Sequence, residues 1–107
     1  MEEKRKEELC NVLRKSRLCR GLEKEEIRKL LEQEGMVRPF HKGERIIREM
    51  DRPTAVYMLL EGCVIIAKDT LSGKRILMTQ LEIPGTLFGE VYVFMKKDHY
   101  DMYVEAA

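Results

Sequence analysis

The sequence predicts a mainly β domain with N-terminal helices, its strands arranged as an antiparallel double-stranded roll of the jelly-roll kind. Three observations predict it. Before residue 35 apolar positions recur at helical spacing, and after it they fall into short runs. From Met36 onward those runs are broken by Gly- and Pro-bearing turns about every 8–12 positions, the rhythm of sandwich or barrel strands. Within them, "VIIAKDTLSGKRILMT" sets two β-prone runs on either side of Leu71-Ser72-Gly73-Lys74, which reads as a hairpin.

Taken in order, Leu9, Val12 and Leu13 form the apolar stripe of a first helix, and Leu22, Ile27, Leu30 and Leu31 that of a second. Gly21-Leu22-Glu23 separates them. Glu23, Glu25 and Glu26 suit the first turn of the second helix, where carboxylates complement the helix dipole. Gly35 is placed as its stop. Residues 1–34 are thus a helical lead-in whose apolar faces are expected to cap the roll, and 35–107 are the roll itself. Strands are expected in "MVRPF", "RIIRE", "AVYMLLEG", "CVIIAKD" and "RILMTQLE". Gly89–Met95 suit one or two helical turns. Tyr100, Met102 and Val104 alternate with Asp101, Tyr103 and Glu105, which predicts a last strand with one apolar face.

Composition narrows the function classes. At 107 residues and 44% hydrophobic, the chain holds one domain with one core. A net charge of +1 gives no global basic footprint for nucleic acid. Runs such as "EEKRKEE" and "EKEEIRK" read as solvated helix faces. No apolar run approaches the ~20 residues of a membrane span, and the charged start carries no secretory signal, so a cytoplasmic location is expected. Cys10, Cys19 and Cys63 are odd in number and lack CxxC spacing; a reduced, buried role is expected rather than an iron–sulfur or haem ligand set. His41 and His99 lie in separate turns with no reason to converge on a metal, and Ser16 and Ser72 lack a nucleophile-elbow context. The expectation is a protein that is not an enzyme, with no metal and no cofactor.

One stretch points to a ligand. "PGTLFGEV" is not a Walker loop, because it lacks Gly-Lys-Ser/Thr. It does set Gly85 and Gly89 around Leu87-Phe88, followed by Glu90. The leading N–H groups of a short helix there would face a bound anion. Gly89 would allow close backbone approach, and Glu90 would accept from a sugar hydroxyl. Taken alone, those residues also suit a tight turn between two strands.

From Leu18 to Ala107 the chain resembles the sensory domain of the Crp/Fnr transcription regulators, which has the cyclic-nucleotide-binding-domain fold. Leu22 to Leu31 looks like that family's "GL-x-x-x-x-I-x-x-L" helix, Gly43, Gly62 and Gly73 stand where its turn glycines stand, and "PGTLFGEV" looks like its phosphate-binding cassette. The resemblance implies a β-roll whose small-molecule effector acts on a following helix. That helix makes a homodimer and carries a C-terminal helix-turn-helix into DNA. No helix-turn-helix is visible here. "YVEAA" looks like a strand met before the family's two further strands, so the resemblance also predicts a truncated regulator with a roll incomplete at its C-terminus and an open edge at the last strand.

The sequence departs from the family at the phosphate. Members that bind cyclic AMP or GMP carry an Arg eleven residues after the cassette Gly, next to a small hydroxyl residue; here that position is Tyr100, followed by Asp101. A phosphodiester facing Asp101 loses a charge-assisted bond worth roughly 1.5–3 kcal/mol, at least a tenfold loss in affinity. Lys96, Lys97 and His99 read as solvated loop residues. Thr86 stands where the family often has Asp, and "LEIPG" is one residue longer than its usual loop. The expected pocket is lined by Gly89, Glu90 and Val91, by Tyr100 and Asp101, and by Met78 from the hairpin facing them. Its effector is expected to be something other than cyclic AMP. The alternatives are a degenerate roll that only associates with protein, its pocket closed by Tyr100 and Met78, and a cysteine-based redox sensor.

Overall fold

A computed structural model describes residues 2–107. The chain forms two compact units, one ending at Pro39 and the other spanning Phe40–Ala107. The first holds two helices, α1 (Glu3–Lys15) and α2 (Lys24–Glu32). Leu9 and Cys10 are buried on α1, and Ile27 and Leu31, four residues apart, on α2. Ion pairs cross between the helices, among them Arg28 to Glu3 at 2.9 Å, Lys6 to Glu32 at 3.1 Å and Lys24 to Glu7 at 3.8 Å. Such exposed pairs are worth about 0–1 kcal/mol each, so apolar burial is the larger stabilising effect. The Glu23 backbone N–H donates to the Glu26 carboxylate at 3.3 Å, which satisfies a donor ahead of the first turn of α2.

The second unit is antiparallel throughout. Its strands are β1 (Arg45–Ile47), β2 (Tyr57–Met58), β3 (Val64–Asp69), β4 (Arg75–Leu81), β5 (Leu87–Phe88) and β6 (Tyr103–Ala106), with a short helix α3 (Glu90–Phe94) between the last two. One sheet has the order β1-β6-β3-β4, and the other pairs β2 with β5. The β3–β4 hairpin closes where the turn residues predict it. The Thr70 N–H donates to the Lys74 carbonyl at 2.8 Å, and the Lys74 N–H to the Thr70 hydroxyl at 3.0 Å. The core gathers Ile47, Leu59, Val64, Phe88, Tyr100, Met102 and Val104. This is the mainly β roll with N-terminal helices that the sequence predicts, and its two sheets do not close into a barrel.

Three local expectations are corrected. "MVRPF" forms no strand: Pro39 offers no N–H to a ladder and restricts Arg38, whose guanidinium instead donates back to the Gly35 carbonyl at 3.3 Å. The last strand begins at Tyr103, because Tyr100 is held by a different pairing. Its N–H donates to the Asp51 carbonyl at 3.0 Å, and its carbonyl accepts from the Met50 N–H at 2.9 Å. Nor is β6 an open edge. It runs between β1 and β3, and the strand left at that sheet's far edge is β4.

The alternation expected from Tyr100 to Glu105 holds for Tyr100, Met102 and Val104, all buried, but Tyr103 is buried as well, at 1% exposure. The Arg45 guanidinium lies 3.6 Å from its ring centroid, and its hydroxyl donates to Asp69 at 3.1 Å. Beside it, Glu105 accepts from Arg75 at 2.6 Å and pairs with Arg45 at 3.8 Å. A ladder of charged side chains therefore covers an aromatic residue on the face expected to be polar.

Candidate functional site

The cassette is held first by backbone. The Leu59 N–H donates to the Thr86 carbonyl at 2.9 Å, and the Gly85 N–H to the Leu59 carbonyl at 2.7 Å, extending the β2–β5 pair. Tyr57 lies opposite Phe88, their rings stacked at 5.4 Å. The chain then turns at Gly89, which has a left-handed φ of +76° and caps α3. A Cβ at Gly89 would stand 3.2 Å from Ile47 Cδ1, 3.6 Å from the Tyr57 ring and 3.7 Å from the Tyr100 hydroxyl. Glycine is required there on two counts, conformation and space.

Tyr100 defines the inner side of this turn. It is 3% exposed, its ring tilts against Tyr92 at 5.0 Å, and its hydroxyl reaches toward Gly89 without a hydrogen-bond partner. It is the one buried side-chain polar atom so placed among the described residues. Burial above all, then the neighbouring Tyr57 and Asp51, raises its pKa, so the hydroxyl stays protonated and is an unused donor. Asp101 points the other way. It accepts a short hydrogen bond from the Tyr92 hydroxyl and pairs with Lys68 at 3.5 Å. The Tyr92 bond is the main reason its carboxyl lies below the ordinary 3.8, with Lys68 adding to it.

The outer side is a cleft of ≈ 400 Å³ lined by Val91, Tyr92, Lys97, Asp98, His99 and Asp101. The loop from Lys96 is drawn against α3 by the Lys97 N–H, which donates to the Tyr92 carbonyl at 2.9 Å. Of the residues expected at the pocket, the structure brings Gly89 and Tyr100 together on the core side, and Val91 and Asp101 together in the outer cleft. Glu90 is half-buried at the start of α3. Met78 stands apart on β4, half-exposed, as the extra residue of a bulge between Leu77 and Thr79.

Sequence reasoning missed Tyr92, Tyr57, Ile47 and Lys68. In "EVYVFM" the helical period favours Val91, Phe94 and Met95 as an inward stripe, yet all three are exposed and Tyr92 is the residue that packs on the core. A helix of five residues is oriented by what its ends are tied to, not by its own apolar period. Among the described residues no group of His, Cys, Asp and Glu is arranged to hold a metal ion.

The Tyr92–Asp101 pair makes a testable statement about pH. Burial first, and then the hydrogen bond to Asp101, pushes the Tyr92 pKa up to about 12. A raised folded-state pKa contributes stability that is complete below the unfolded value and is lost as pH rises through the folded one. Stability is therefore expected to fall between pH 10 and about 12. In an alkaline absorbance titration Asp101→Asn should lower the Tyr92 midpoint without returning it fully to 10.0, because burial remains.

The comparisons with known proteins place this geometry. The family model for the cyclic nucleotide-binding domain matches residues 37–107. Among solved structures, a regulatory protein from Silicibacter pomeroyi DSS-3 described as cAMP-binding is 25% identical. The match has a TM-score of 0.71 and covers 94% of this chain and 44% of that one. The catabolite activator protein of Thermus thermophilus is 27% identical with a TM-score of 0.62, over 83% of this chain and 40% of that one. The sensor domain of the transcriptional regulator DNR from Pseudomonas aeruginosa shares the fold, with a TM-score of 0.74 at 23% identity over 96% of this chain and 67% of that one. The chain thus spans less than half the length of the first two. No curated protein sequence matches it. Among the described residues no helix is long and apolar enough to cross a membrane. With the cassette, the paired sheets and the matched span in hand, this chain belongs to the cyclic nucleotide-binding domain family and shares the fold of the Crp/Fnr-type regulators.

Proposed function

We propose that this chain is the effector-sensing domain of a bacterial Crp/Fnr-like transcription regulator that does not respond to cyclic AMP. On this reading residues 1–34 are a helical lead-in and 35–107 the sensor. Homodimerisation and DNA binding belong to the whole regulator. The observation that carries the reading is Tyr100. At the position where cyclic-AMP-binding members carry a cation, a neutral hydroxyl is buried against Gly89 with no partner. Its neighbour Asp101 adds a carboxylate already engaged by Tyr92 and Lys68. A cyclic phosphate brought to this turn finds backbone N–H groups and one neutral donor beside Gly89; Lys97 lines the outer cleft, but the carboxylates of Asp98 and Asp101 line it too. A small molecule presenting an uncharged acceptor to the Tyr100 hydroxyl fits the donor better. It would be flanked by Gly89, Glu90 and Val91, with Asp101 at the margin, whereas Met78 on β4 is left out of this site.

The test is calorimetric titration of the chain with cyclic AMP and cyclic GMP. No heat of binding is expected at micromolar ligand, and micromolar affinity for cyclic AMP overturns the reading. A second reading, a roll that only associates with protein, is favoured by the near-complete burial of Tyr100. A thermal-shift screen separates the two, since an effector at 100 times its dissociation constant adds about 2.7 kcal/mol and a closed pocket adds nothing.

A further inference from the structure

The four-stranded sheet has two margins, the three-residue β1 and the longer β4, and β4 pairs on one side only, with β3. It is seven residues long, and all but Leu81 are exposed. Ile76, Leu77 and Met78 are 52%, 55% and 53% exposed; being consecutive, they present apolar surface on both faces of the strand. Proteins usually blunt such an edge with Lys, Pro, a very short strand or an outward-twisting bulge. β4 has no Pro, and its single charged residue, Arg75, is turned inward along the sheet to Glu105 at 2.6 Å. The one irregularity is the bulge: Ile66 pairs with Thr79 and Ala67 with Leu77, which leaves Met78 as the extra residue.

We propose that β4 pairs antiparallel with β4 of a second copy of this chain, about a two-fold axis at Met78, so that the two four-stranded sheets become continuous. Two independent features select this register. A bulge bends its strand and increases its twist, and only bulge against bulge lets both strands bend together. The same register sets Lys74 of one copy opposite Glu82 of the other, twice over by symmetry. Opposite charges facing across an antiparallel pair stabilise it, and like charges destabilise it. Both residues are exposed. Lys74 makes no ion pair among the described residues, and Glu82 accepts only from the Gln80 amide, at 2.5 Å. Between these ends Ile76 faces Gln80 and Leu77 faces Thr79, so each apolar side chain loses water against the facing strand. An extended peptide from another protein could use the same main-chain groups, but it has no reason to reproduce the reciprocal end charges, and those favour a second copy.

The test is sedimentation velocity of the 107-residue chain from low to high micromolar concentration, with circular dichroism to check that each variant folds. A reversible monomer–dimer equilibrium is expected. Lys74→Glu and Glu82→Lys should each raise the dimer dissociation constant roughly tenfold, because two facing pairs change from opposite to like charge. Mixing the two single variants should restore dimers, since every facing pair is then opposite in sign, and the double variant should dimerise by itself. A chain that stays monomeric overturns the proposal even if it captures an extended peptide. So do dimers indifferent to both charge reversals, or a mixture that fails to recover.

Discussion

Tyr100→Ala is expected to cost about 3–5 kcal/mol of folding stability, the range for truncating a buried aromatic residue, whereas Tyr100→Phe is expected to gain about 1 kcal/mol. The first follows from position: the ring packs among Ile47, Phe88, Met102 and Val104 in the core of the second unit. The second follows from the orphaned hydroxyl. A buried donor without a partner forfeits its hydrogen bonds to water and receives nothing in return, so removing it while keeping the ring relieves that cost. Urea unfolding with an unchanged m-value measures both. A loss above 1 kcal/mol for Tyr100→Phe means that the hydroxyl has a partner, and the account of the site is then wrong. The two variants also bear on function. If the hydroxyl is held in reserve for an effector, the more stable Phe variant should be the one that no longer binds it, which is the usual trade of stability against a working site.

Gly89→Ala is expected to lose about 2 kcal/mol, which lowers the melting temperature by roughly 10 °C in a domain of this size. A left-handed backbone costs a non-glycine residue about 1–2 kcal/mol, and φ here is +76°. The added methyl would also stand 3.2 Å from Ile47 Cδ1, tighter than ordinary contact, with Tyr57 and Tyr100 close behind. Gly73→Ala in the hairpin is the control: its φ is +85°, but nothing lies within 4 Å of the new atom. It should lose only the backbone part, about 1 kcal/mol. Equal losses at the two positions mean that the turn at Gly89 is not crowded and that Tyr100 does not close over it.

Much of the architecture was legible because its causes are local. The helix pair follows from stripes at 3.6-residue spacing, and the β3–β4 hairpin from a Ser-Gly turn between two β-prone runs. The cassette follows from glycines whose positive φ no other residue adopts cheaply. Illegible features depend on which distant segments pair. The alternation in "YDMYVE" marks a strand, but Tyr103 is buried beneath Arg45 from the adjacent β1 and Arg75 from β4, two strands away. "EVYVFM" carries an apolar period that α3 does not use, because Tyr92 is drawn onto Tyr100 and Asp101 instead. Met78, read as a pocket wall, sits on a bulge whose existence depends on its register with β3.

Family membership is a property of order along the chain, carried by spaced glycines and a cassette, and there Tyr100 and Asp101 are legible only as residue types. The tertiary structure alone decided what those two residues do. Sheet pairing brings Ile47, Tyr57 and Gly89 around the Tyr100 hydroxyl and leaves it unpartnered, while Lys68 and Tyr92 engage Asp101 on the other side. Contacts between segments so far apart in the chain are set by three-dimensional packing, and no local pattern of residues encodes them.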